Sequence, residues 1–148
     1  MSRLASLAAL FIAALLCGAP VAAQAAEAPE PPPAAVQAKI DALFAQLKAG
    51  KVAEGYNQAF AGTLMSKKQA DLEQMIAATE TALRYYGAVR DWQLIETRRP
   101  VGGFAVAIYL LRAENGPLFA RLQFYDNGAK WIVYNVALGD SYDQMNAW

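Results

Sequence analysis

Histidine is absent from all 148 residues, and with it go the commonest general base, the commonest metal ligand and every histidine-dependent catalytic triad. Cysteine occurs once, at Cys17, so the chain must be held by its core without disulfides. Charge of either sign is not in excess: 13 Lys and Arg stand against 13 Asp and Glu. That balance gives no electrostatic reason to bind nucleic acid or an anionic membrane. Lys67-Lys68 and Arg98-Arg99 are isolated pairs that read as solvated surface. No stretch carries a nucleotide, cofactor or metal signature, so neither a cofactor nor a metal is expected.

What is present begins with an address. Arg3 supplies a positive start, and Leu4 to Cys17 is an almost unbroken apolar run, shorter than the roughly 20 residues that span a bilayer. Gly18 and Pro20 break it, and Ala23-Gln24-Ala25 offers the small-x-small pattern of signal cleavage. Leu16 before Cys17 is a poor match to lipoprotein processing, so ordinary cleavage is expected. Residues 1–25 therefore read as a signal peptide and the protein as periplasmic or secreted, with no membrane association once the leader is removed. Without Arg3, 12 basic residues face the 13 acidic ones.

Residues 26–35 form a Pro- and Ala-rich linker, because proline at this density favours extended backbone without hydrogen bonds. The remainder, 36–138, is one domain's worth of chain, with 139–148 as a C-terminal tail. The spacing of Val36, Ile40, Leu43, Phe44 and Leu47 predicts a helix from about Ala34 to Ala49, stopped by Gly50. A second helix is expected over Val52 to Leu64, with Val52, Tyr56, Ala59 and Phe60 inward. Ser66 and Gln69 have the spacing of a capping box ahead of a third helix ending at Gly87. Its inward face is Leu72, Met75, Ile76, Thr79, Leu83 and Tyr86. Tyr142, Met145 and Trp148 in the tail suit one last turn against the body.

From Val89 the pattern changes to strands. Val89 to Thr97 is the first, Arg98 to Gly103 a loop, and 104–111, 118–125 and 130–136 a three-stranded meander rich in aromatic and β-branched residues. Asn127-Gly128 predicts a type I′ hairpin turn. Two-residue turns would set Arg121 opposite Tyr134 and Gln123 opposite Ile132.

This order of elements resembles the nuclear-transport-factor-2-like, cystatin-like superfamily, and within it small exported bacterial domains of unknown function. The residues that carry the resemblance are Ala49-Gly50 at a helix end, Tyr56 on the next helix, and Tyr86-Gly87-Ala88-Val89-Arg90 leading into a strand. The last hairpin, Asp126 to Val133, matches the Asp-Gly-Lys-Trp-x-Val pattern with two residues inserted. The resemblance implies an α+β fold: N-terminal helices packed on a curved antiparallel sheet, a cone-like roll. The same fold hosts enzymes, transport factors and inert modules.

Two functions compete. One is a non-catalytic envelope module that holds a small apolar ligand, a second copy of the chain or an envelope protein. The other is a small isomerase or dehydratase resembling ketosteroid isomerases and polyketide cyclases, with Asp91 or Asp126 as base and Tyr56, Tyr86, Tyr109 or Tyr134 holding an oxyanion. Strand alternation sets Leu118, Ala120, Leu122 and Phe124 toward the core and Phe119, Arg121, Gln123 and Tyr125 on the other face. Tyr109, Phe119, Arg121, Tyr125 and Tyr134 are the candidate ligand- or partner-binding residues, with self-association through Phe119, Arg121, Tyr125 and Tyr134 as one expectation. The bland alternative is a solvated outer face, and a filled core against a pocket holding a buried carboxylate separates the two functions.

Overall fold

The computed structural model describes residues 29–147, so the signal peptide expected in residues 1–25 and the expected contact of Trp148 lie outside the described residues. Three helices precede a four-stranded antiparallel meander of order β1-β2-β3-β4, and a short fourth helix follows it. This is the α+β architecture and element order expected from the sequence.

The stripe on α1 (Ala34–Lys48) is buried throughout: Val36, Ile40, Leu43, Phe44 and Leu47 are at most 1 % exposed. Phe44 sits at the centre of the core, its ring 5.2 Å from that of Tyr109 and 5.6 Å from that of Trp92. Helix α2 (Val52–Phe60) crosses α1 closely at Gly55, where an added Cβ would stand 3.0 Å from Gln46 Cβ and 3.1 Å from Leu43 Cδ1. The glycine that costs helix propensity here permits the packing that holds the helix. Helix α2 stops at Phe60, short of the expected Leu64, and a 3₁₀ turn at Met65–Lys67 leads into α3 (Gln69–Tyr86). No capping box forms. Lys68 is the N-cap, Ser66 Oγ donates to the Thr63 carbonyl, and Gln69 Nε2 donates back to the Ser66 carbonyl. Gly87 ends α3 with φ of 79°, a conformation that side chains disfavour.

Strand β1 (Val89–Val101) is longer than the sequence implies, because Arg98 to Val101 continue pairing with β2 (Phe104–Ala113) and the turn is Gly102-Gly103. Strand β3 (Pro117–Asp126) pairs with β2 without interruption. The turn into β4 (Trp131–Gly139) is not the expected type I′. It takes four residues, 127–130, and only Gly128 has positive φ. Asn127 Oδ1 instead accepts from the amides of Ala129 and Lys130, at 3.1 and 3.0 Å.

Two irregularities fix which side chains share a face. The register of β1 slips between Leu94, opposite Tyr109, and Glu96, opposite Ile108, leaving Ile95 as an extra residue. That β-bulge reverses the alternation, so Trp92 and Leu94 face the helices while Glu96 and Arg98 face away. A second slip between Gln123 and Phe124 sets Gln123 opposite Asn135 and Phe124 opposite Val133, with Tyr134 as the extra residue. Arg121 is consequently opposite Ala137 rather than Tyr134, and Ile132 is opposite Tyr125 rather than Gln123. Such bulges bend their strands and curve the sheet around the helices.

The segment after Gly139 belongs to the body. Ser141 caps α4 (Tyr142–Asn146), accepting from the Gln144 amide, and α4 packs on β3 and β4 on the face away from α1–α3. Gly139 makes room, since an added Cβ would meet Met145 Cε at 2.7 Å. Among the described residues no helix is long and apolar enough to cross a membrane.

Candidate functional site on the outer sheet face

The helix side of the sheet is filled. Tyr56, Tyr109, Phe44, Phe60 and Phe124 are its largest buried side chains, each at most 2 % exposed. Both tyrosine hydroxyls are partnered: Tyr56 with Thr79 Oγ1 at 2.7 Å, and Tyr109 donating to Gln37 Oε1 at 2.8 Å. Burial pushes each up to about 12, with the hydrogen bond only partly opposing it. Groups so reluctant to ionise serve as packed hydrogen-bonding struts.

The base proposed for a cyclase-type site is not in this interior. Asp91 is exposed on β1, paired with Arg112 at 2.5 Å on the rim, and Asp126 Oδ1 accepts from the Gly128 amide in the last turn. Tyr86 donates to Asp140 Oδ2 at 2.6 Å in an exposed position, where the Asp140 carboxylate raises its pKa. The carboxylate that the helix side does hold, unforeseen from sequence, is Asp41. It accepts from Trp92 Nε1 at 3.2 Å and Gln37 Nε2 at 3.0 Å, tying α1 to β1. A shallow groove of about 410 Å³ runs between α3 and β4 past Tyr56 and Met75; Asp41 does not line it, and the carboxylate that does, Asp71, is exposed and paired with Lys68 at 3.6 Å.

The five candidate binding residues are not brought together. Tyr109 lies in the helix-side core. Phe119 and Arg121 are on the opposite face, partly covered by α4: the Phe119 ring lies 5.8 Å from that of Tyr142, and Arg121 Nη1 donates to the Ala147 carbonyl at 3.0 Å. Tyr125 and Tyr134, 47 % and 54 % exposed, flank Phe104 in a separate shallow depression. The face expected to be either bare or a flat docking surface is thus divided between a covered half and an open aromatic edge.

The covered half contains a pocket of about 300 Å³. Its floor is Val106 and Ile108, 2 % and 3 % exposed although they lie outside the helix-side core. Glu96 and Arg98 of β1 form one wall, Arg121 and Gln123 of β3 the other, and Met145, Asn146 and Ala147 close the α4 side. The register explains the grouping, since Glu96, Ile108 and Arg121 lie in one cross-strand row and Arg98, Val106 and Gln123 in the next. Arg98 donates through Nε and Nη2 to the two oxygens of Glu96, and Tyr142 of α4 donates to Glu96 Oε2 at 3.0 Å. The Arg98 hydrogen bond is the main reason the Glu96 carboxyl lies below its ordinary range, and Tyr142 lowers it further. Burial, then Glu96, raises the Tyr142 phenol. This clamp fastens α4 over the pocket.

Arg121 is different. Among the described residues it makes no ion pair, its buried Nε has no hydrogen-bond partner, and neither has Asn146 Oδ1, also on the pocket lining. Sequence reading found Arg121 but missed Glu96, Arg98, Met145 and Asn146. The adjacent apolar pair Leu94-Ile95, which breaks strict alternation in β1, was the signal for the bulge that turns Glu96 outward. Among the described residues no cluster of acidic, histidine or cysteine side chains is fit to hold a metal.

No protein-family model matches the chain, and no curated protein matches it. Among solved structures it is similar to a Campylobacter jejuni protein described, provisionally, as an NTF2-like transpeptidase. Identity is 16 %, with a TM-score of 0.47 over 66 % of this chain and 95 % of that one. At that level the likeness transfers no activity.

Proposed function

We propose that this is an exported envelope protein that binds a small ligand without transforming it, at the outer sheet face. One observation carries the reading: the helix-side core is packed with side chains and its groove beside α3 is shallow, while the opposite face has a more enclosed pocket with an apolar floor and polar walls. Its volume falls at the lower end of ligand sites, about 300–1,000 Å³. The leader read in residues 1–25 supports export. The non-catalytic character is supported by the positions of Asp91 and Asp126, the expected bases, which lie on the rim and in a turn, away from the buried Tyr56 and Tyr109.

The methionines provide the test. Met145 lines the outer pocket, whereas Met65 and Met75 line the helix-side groove. In protein carrying ¹³C-methyl methionine, titration with a library of small fragments should shift the Met145 methyl and leave Met65 and Met75 unmoved. Shifts confined to Met65 and Met75 would move the site to the cone and reopen the isomerase reading.

A further inference from the structure

We infer that the ligand of the outer pocket carries a carboxylate on a short apolar body, with Arg121 as its counter-ion. This rests on the outer-face reading and specifies its chemistry. The lining side chains include two guanidiniums and one carboxylate, and that carboxylate is already engaged by Arg98 and Tyr142. Arg121 therefore faces the pocket as a half-buried cation that makes no ion pair with a described residue. A guanidinium has five N–H groups, and Arg121 spends one on the Ala147 carbonyl. Even a half-buried cation beside Val106, Ile108 and Met145 loses hydration when no described residue supplies a counter-charge, and an anion that pairs with it recovers part of that cost. Carboxylate geometry matches the guanidinium fork, and the charge-assisted bonds so formed are about twice as strong as neutral ones. The floor sets the remainder of the ligand: Val106 and Ile108 offer only apolar contact, so the body beside the carboxylate is hydrocarbon.

Hexanoate and hexanamide are the probes, since they share the apolar chain and differ in charge. Their dissociation constants are read by NMR titration of the leaderless protein at one ionic strength. Hexanoate should bind at least tenfold tighter than hexanamide. Gln123→Glu, two residues along the strand from Arg121 on the same wall, places a competing carboxylate in the pocket while Arg121 stays in place. It should weaken hexanoate at least tenfold more than it weakens hexanamide. Arg121→Gln should bring the two probes to equal affinity, with unchanged helix-side amide resonances showing that the fold persists. Equal binding of both probes to the wild type would overturn the carboxylate assignment and leave the outer pocket standing. Undiminished hexanoate binding by Gln123→Glu would do the same. Binding of neither probe would overturn the inference along with the pocket it rests on.

Discussion

The two faces of one sheet are built on different principles. On the helix side, three helices cover β1–β4 with apolar side chains, and Tyr56 and Tyr109 are buried only because Thr79 and Gln37 meet their hydroxyls. On the outer side, one five-residue helix packs on β3 and β4, and Arg121 Nε and Asn146 Oδ1 of the pocket-lining residues are buried without partners among the described residues. A native interior seldom leaves buried polar atoms unmatched, because each costs about 1–3 kcal/mol. One such atom, Thr97 Oγ1 opposite Ala107, belongs to the helix side, whereas Arg121 and Asn146 line one and the same pocket, which we propose a ligand completes.

Substitutions sharpen this contrast. The largest effect is expected at Phe44, whose ring joins α1 to Trp92 and Tyr109. Phe44→Ala should cost about 3–5 kcal/mol in chemical denaturation. Leu83, in mid-stripe on α3 but only half-buried, should lose about 1–2 kcal/mol as alanine, because solvent already reaches it. Equal losses at the two would erase the distinction between the centre of the core and its margin.

Alkali provides a second, slightly smaller effect on the same side. Tyr56 has a folded-state pKa near 12 against the usual 10, so the folded form holds its proton more tightly. The associated stability is fully present below pH 10 and is lost as pH rises toward 12, amounting to about 2–3 kcal/mol. Tyr56→Phe has no proton to lose, so its stability should fall less steeply than that of the wild type between pH 10 and 12. Parallel curves would mean that Tyr56 is solvated.

Most of the helix side was legible in the sequence. The period of Val36, Ile40, Leu43, Phe44 and Leu47 fixes a helix face whatever it packs against, and all five are buried. Leu118, Ala120, Leu122 and Phe124 likewise face the core by simple alternation. The outer site was not legible, because it depends on two one-residue slips in pairing. Moving a strand by one residue exchanges its faces without altering composition, and turn chemistry did not set the lengths. Asn127 acted through its side chain instead of adopting positive φ, so the Arg121–Tyr134 pairing expected from a two-residue turn did not form. The role of the tail was hidden for a related reason: Tyr142 and Met145 find their places only once Glu96 and Gly139 face outward.

Smaller effects belong to the outer side. Tyr142→Phe removes the hydroxyl that holds Glu96 and should cost under about 1 kcal/mol. It should also increase amide exchange in 141–147 while leaving 36–47 unchanged. Arg121→Glu, which would disrupt a flat sheet-to-sheet dimer, is expected to leave the sedimentation coefficient unaltered, because α4 partly covers that position. A change of association state on that substitution would restore the outer face as a self-association surface.

The claim that the outer face binds while the cone only supports is tested most directly by a crystal structure of the protein with hexanoate. The account predicts density over Val106 and Ile108 beneath α4, with a carboxylate oxygen about 2.7–2.9 Å from a guanidinium nitrogen of Arg121. Density in the groove beside Tyr56 and Met75, with the outer pocket unchanged, would contradict it.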